Sequence, residues 1–81
     1  MTADKMFAEL GYIKIAKKGN TIIYEAKEAI ENCVFTKTIS FYKDDKDISV
    51  EAYLEDEPEL IILEFAELQA IMAKIKELGW E

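Results

Sequence analysis

Any chemistry in this chain has to come from carboxylates and lysines. Residues 44–67 hold ten acids and one lysine, among them Asp44, Asp45, Asp47, Glu51, Glu55, Asp56, Glu57 and Glu59. Alternating acids suit hard cations, and Asp45 and Asp47 begin such an alternation. A calcium loop counted from Asp45 needs a glycine at its sixth position and a bidentate glutamate at its twelfth. Val50 and the shorter Asp56 stand there instead. A carboxylate-based metal-dependent enzyme or metal-binding protein using Asp44, Asp45, Asp47, Glu51 and Glu55 is thus carried as an alternative only, and no cofactor is expected.

The missing residue types exclude more. All ten basic residues are lysine, and the chain has neither histidine nor arginine. Histidine is the usual general base near neutral pH and the commonest nitrogen ligand for metals. Arginine is the usual bidentate grip on phosphate, carboxylate and guanine edges. Ordinary serine and cysteine triads, most zinc sites and most base-reading DNA modules fall away together. Gly11, Gly19 and Gly79 stand far apart, so no glycine-rich phosphate loop exists. Cys33 has no histidine to activate it and reads as a small buried hydrophobe. A non-enzymatic protein is expected.

The charge is lopsided. Residues 1–43 carry seven lysines against five acids, and residues 44–81 three lysines against twelve, which accounts for the net −7. Like charges gathered on one face raise the local potential and steer a basic partner in. The eight acids named above are therefore the candidate partner-binding residues, expected to form one continuous anionic region. A phosphate-mimicking inhibitor of a DNA-binding protein is a further reading of the same residues, and a merely solvated surface the plain one. Lys14, Lys17 and Lys18 near Tyr12 make a weak basic patch in an acidic chain, so direct nucleic-acid binding is not expected.

Eighty-one residues, half of them apolar and a third charged, are enough for one small domain spanning 1–81, stable by about 4–12 kcal/mol. The longest aliphatic run, Leu60–Leu63, is far short of the ~18–20 residues of a membrane span. No charged-then-apolar leader opens the chain, and the single cysteine suits a reducing compartment. A cytoplasmic protein is expected.

The elements that must position the acids follow from periodicity. Thr2 caps a short helix in which Ala3, Met6, Phe7 and Leu10 recur at helical spacing. Tyr12–Ala16 and Thr21–Glu25 are strands about the Lys17–Asn20 turn. Glu25–Asn32 fits both periods and is read as a connection. Cys33–Phe41 and Asp47–Tyr53 are strands about a polar tip at 43–46, and Lys37 interrupts the apolar side of the first. Leu54–Glu59 is an acidic loop, and Leu60–Leu63 is either a fifth strand or a lead-in to the last helix. That helix runs from about Glu64 to Leu78, with Phe65, Leu68, Ile71, Met72, Ile75 and Leu78 as its core stripe. Both helices end alike, in Glu-Leu-Gly-Tyr (9–12) and Glu-Leu-Gly-Trp (77–80). Such glycine-terminated ends set the aromatic against Phe7 and Ile75 respectively. The expected fold is α+β: an antiparallel four- to five-stranded meander with a short N-terminal helix and a longer C-terminal helix packed on one sheet face. Unpaired strand edges leave room for a weak homodimer beside the monomer.

Met1-Thr2-Ala3-Asp4-Lys5-Met6-Phe7 with Leu10-Gly11-Tyr12, and Glu67-Leu68-Gln69-Ala70-Ile71 with Glu77-Leu78-Gly79-Trp80, resemble the two ends of small proteins of unknown function carried by phages and prophages of Gram-positive bacteria. The resemblance implies a cytoplasmic phage-type accessory protein and brings no catalytic residues. Together with the acidic half, it sets the expectation of a protein-interaction module with an unidentified, basic protein partner.

Overall fold

The computed structural model describes residues 1–80 and, at 16–18, the backbone alone. Lys17 and Lys18 of the basic patch therefore lie outside the described side chains. The chain runs α1 (Ala3–Glu9), β1 (Ile13–Lys18), β2 (Thr21–Ile30), β3 (Cys33–Tyr42), β4 (Asp47–Leu54), β5 (Glu57–Pro58) and α2 (Phe65–Glu77). The strands form one antiparallel sheet in the order β1-β2-β3-β4-β5, a plain meander, and both helices rest on one of its faces. This is the expected α+β architecture.

Direct cross-strand partners share a face, so the register sorts the side chains into rows. Ile22, Phe41 and Ile48 form one row on the helix side, and Tyr24, Ile39 and Val50 the next. Then come Ala26, Lys37 and Ala52, and finally Glu28, Phe35 and Leu54. The first two rows carry the core, with Phe7, Tyr12, Ala70 and Ile71 above them. Phe7 stacks on Tyr24 with ring centroids 4.1 Å apart, and Phe41 meets Tyr24 edge-on at 5.9 Å. Such pairs add about 0.5–1.5 kcal/mol each beyond the area they bury. The last row lies beyond the helices, which is why Phe35 is only half-buried where Ile39 and Phe41 are sealed.

Both helix ends close as expected. Tyr12 N donates to Phe7 O at 3.0 Å and Gly11 N to Ala8 O at 3.0 Å; Trp80 N donates to Ile75 O at 3.1 Å and Gly79 N to Lys76 O at 3.0 Å. These are two complete glycine-terminated caps, with Gly11 at φ 91° and Gly79 at φ 72°. Tyr12 then packs edge-on to Phe7, centroids 5.5 Å apart, while Trp80 reaches across to Phe41 at 6.3 Å.

Three expectations are corrected. Glu25–Asn32 is not a connection: β2 continues to Ile30 and turns into β3 at Glu31, whose backbone is left-handed (φ 55°). The fifth strand is Glu57–Pro58, inside the expected acidic loop, and Leu60–Leu63, of its two readings, is the irregular lead-in to α2, a strap. The core face of α2 is Glu67, Ala70, Ile71 and Lys74, with Ile75 and Leu78 packed at its margin. Phe65, Leu68 and Met72 point out to solvent, and Leu10, the residue capping the end of α1, is also exposed. At 100° per residue, α2 is turned by about a quarter-turn from the apolar stripe its sequence displays.

Candidate functional site

The reason for that quarter-turn is polar. Glu67, buried near the start of α2, accepts from Lys37 Nζ at 2.8 Å, from the Tyr12 hydroxyl, and from Glu64 N at 2.7 Å. The last bond is the returning half of a capping box, so one carboxylate caps the helix and pins it to the sheet. Lys37 Nζ also donates to Ile62 O, tying down the strap. Lys37 fits in the middle of the sheet because its cross-strand neighbours, Ala26 and Ala52, are small. Burial pushes the Glu67 carboxyl up, but the bonds from Lys37, Tyr12 and Glu64 N outweigh it and hold the group below its ordinary 4.5. Burial, then the facing carboxylate of Glu67, raises the Tyr12 hydroxyl far above its ordinary value.

A second pin holds the other end of α2. The Asp4 carboxylate accepts from the Tyr24 hydroxyl and lies 3.2 Å from Lys14 Nζ and 3.4 Å from the buried Lys74 Nζ. The Tyr24 bond lowers the Asp4 carboxyl against a smaller upward push from burial, with Lys14 and Lys74 adding to the lowering. Glu77 joins by accepting from Ala3 N at 2.7 Å. Both networks are saturated: no buried side-chain nitrogen or oxygen among the described residues lacks a partner. Two open clefts of about 390 Å³ flank Lys37 and Glu64, one reaching Tyr12 and Leu10 and the other Leu60 and Ile62. The polar groups between them already hold each other, and their evident work is to anchor the strap and the helix start.

The candidate acids fall into two groups rather than one region. Asp44, Asp45 and Asp47 surround the β3–β4 tip, where both Asp44 oxygens accept from Asn20 Nδ2 at 2.7 and 2.8 Å. Glu55 and Asp56 make the β4–β5 turn, with Glu57 and Glu59 just beyond. The length of β4 separates the groups by roughly 25 Å at ~3.3 Å per residue. Glu51 stands between them on the open sheet face, accepting from the Tyr53 hydroxyl at 3.1 Å. Glu55 is built in structurally: its carboxylate accepts from Val34 N at 2.9 Å, and its backbone is left-handed (φ 54°). Among the described residues, none of these eight acids joins an ion pair, and no three metal-ligating side chains converge.

A feature the sequence reading missed adjoins the second group. Leu60, Ile61, Ile62, Leu63, Phe65, Leu68 and Met72 are all exposed, from 40% for Leu63 to 80% for Leu60, with Phe65 at 73%. Leu60 and Ile62 border the cleft beside Lys37, while Phe65, Leu68 and Met72 stand on the outward side of α2. The signal that could have found it was Glu67 and Lys74 on one side of α2: two charges that find buried partners turn the opposite, apolar side outward.

No protein-family model, curated protein or solved structure matches this chain. Among the described residues, no helix is long and apolar enough to cross a membrane.

Proposed function

We propose that this chain is a non-enzymatic protein-interaction module whose contact surface is the apolar strip Leu60–Met72 with the acids Glu55, Asp56, Glu57 and Glu59 on its flank. The observation that carries this reading is the strip: exposed large apolar side chains on the strap Leu60–Leu63 and on the outward side of α2, held in place by Lys37 and Glu67, with no other part of the described chain over them. A protein surface offering an apolar centre ringed by lysine or arginine fits it, because apolar burial supplies affinity and the charges supply steering and register. The acids at the β3–β4 tip lie too far away to share that contact and serve as long-range attraction for a basic partner. A cytoplasmic, phage-type accessory role rests on the resemblance of the two chain ends.

Affinity capture tests the reading. The wild-type chain is expected to retain one protein in stoichiometric amount, with retention falling as salt rises. The quadruple variant Glu55→Gln, Asp56→Asn, Glu57→Gln, Glu59→Gln keeps the Val34 bond acceptor and the fold but loses most of that protein. Equal retention by the variant removes the acidic flank from the account.

A further inference from the structure

β2 is longer than the strand beside it, and we propose that its uncovered half takes up an extended, lysine-bearing segment of another protein as a sixth strand. The site is separate from the strip and stands whether or not the strip is a contact surface.

β1 meets β2 only as far as Ile13 opposite Glu25, because the chain leaves the sheet at Tyr12 to close the end of α1. β2 runs on through residues 26–30, paired with β3 on one side and with no strand on the other. Residues of an antiparallel strand turn their N–H and C=O alternately to its two edges. Lys43 N donates to Asn20 O at 2.9 Å in the β2–β3 register, so the even-numbered residues of β2 bond β3 and the odd-numbered ones face away. The N–H and C=O of Lys27 and Ala29 are therefore open to a new strand, and an added backbone is what satisfies such a row. Lys27 does not guard this edge, since its ammonium lies 3.8 Å from Glu25 along its own strand. The outer edge of β1, by contrast, is broken by an irregular register between Ile15 and Lys18, a feature that discourages strand addition.

A cleft beside the step decides the side chain. Cross-strand partners share a face, so the residue of an added strand opposite Glu28 points to the helix side. There it enters the open cleft of about 390 Å³ that reaches from Leu10 and Gly11 to Phe35 and Glu64. Ala26 and the half-buried Phe35 give the cleft an apolar floor. Its two lysines are already taken, Lys37 by Glu67 at 2.8 Å and Lys27 by Glu25. Glu28 and Glu64 are exposed and join no ion pair among the described residues. Two uncompensated carboxylates beside an aromatic ring suit a lysine, whose methylene stem covers Phe35 while its ammonium reaches the acids. A second copy pairing its own β2 here about a two-fold axis sets Ala26, Glu28 or Ile30 against Glu28, and none of these supplies a cation.

Backbone amide spectra of the full chain, recorded as the synthetic peptide acetyl-Val-Thr-Lys-Thr-Val-amide is added, test this. With the peptide antiparallel and its lysine opposite Glu28, the amides of residues 26–30 and of Gly11 are expected to shift, and deuterium exchange to slow at the Lys27 and Ala29 N–H groups. N-methylation of both threonines, whose N–H groups face β2, is expected to weaken binding at least about tenfold, whereas N-methylation of the lysine, whose N–H faces outward, leaves it within about twofold. Glu28→Gln, or norleucine in place of the peptide's lysine, is expected to weaken binding about threefold and to flatten its salt dependence. Equal binding by the threonine-methylated peptide overturns strand addition. Undiminished binding by the norleucine peptide overturns the basic occupant. Shifts centred on β1 or β4, or none at millimolar peptide, overturn the site itself.

Discussion

Replacing Lys37 by methionine and Glu67 by glutamine, singly and together, measures how far the buried pair dictates the seating of α2. The two groups lie 2.8 Å apart with side chains only 12% and 8% exposed. Lys37→Met leaves the Glu67 carboxylate with the Tyr12 hydroxyl and Glu64 N and no compensating charge, costing about 3 kcal/mol. It also releases the strap carbonyl of Ile62. Glu67→Gln keeps one acceptor oxygen for Glu64 N and turns its amide NH₂ toward the Tyr12 oxygen, but strands the Lys37 ammonium, costing about 2–3 kcal/mol. The double variant carries no buried charge at this site and keeps a polar side chain facing Tyr12 and Glu64 N, so its loss is about 1–2 kcal/mol, well below the sum of the singles. The coupling is then at least ~2 kcal/mol, in a domain whose whole stability is about 4–12 kcal/mol. Urea denaturation of the four proteins reads it directly, and Lys37→Met is expected to lower the melting temperature by roughly 10–20 °C. Losses that add to within ~0.5 kcal/mol refute the claim that this pair acts as a unit.

Acid should weaken the fold through the same groups. Glu67 and Asp4 are held below their ordinary 4.5 and 3.8, so the unfolded chain binds more protons in that range. Their stabilisation is complete above about pH 4.5 and falls as pH drops through the native values; a melting temperature flat from pH 6 down to ~3 contradicts it. At the other extreme, Tyr12 and Tyr24 ionise far less readily folded than unfolded, so stability should fall as pH rises past about 10, and Tyr24→Phe should reduce that fall. Gly79→Ala meets no atom within 4 Å, so its cost is the left-handed backbone alone, about 1–2 kcal/mol; a loss above ~3 kcal/mol would show a hidden packing role. Phe7→Ala, fully buried, should cost about 3–5 kcal/mol by chemical denaturation, whereas Phe65→Ser should change stability by under ~0.5 kcal/mol. Millimolar calcium or magnesium should leave the melting temperature unchanged; a specific site among Asp44, Asp45, Asp47, Glu51 and Glu55 would raise it by mass action.

Features carried by single residues with one conformational meaning were legible from the amino-acid order. Gly11 and Gly79, each followed by an aromatic, announced two helix caps that close as expected. The Lys43–Lys46 tip announced the β3–β4 hairpin, and Lys37 announced that β3 is unevenly covered. Glu25–Asn32 was opaque because Ala26, Ala29 and Ile30 satisfy helical spacing, and because the turn is made by Glu31, a residue that rarely adopts a left-handed backbone. The inward face of α2 was misread for a different reason. Apolar periodicity assumes that charges face water, yet Glu67 and Lys74 are buried against Tyr12, Lys37, Asp4 and Tyr24, partners supplied by distant strands and by α1. Once those pairs are made, the apolar stripe has to point outward. The acids were legible as a charge excess, but the strand between Asp47 and Leu54 parts them, and only three-dimensional placement shows that one group borders the strip while the other stands at the far end of the sheet.

The central claim is that the strip Leu60–Met72 is where this chain meets another protein molecule. Backbone amide spectra recorded while the captured protein is titrated in test it residue by residue. The account predicts shifts confined to residues 55–72, with the β1 edge and the Asp44–Asp47 tip unchanged. Shifts centred on β1 or on that tip, with residues 60–72 unmoved, would contradict it.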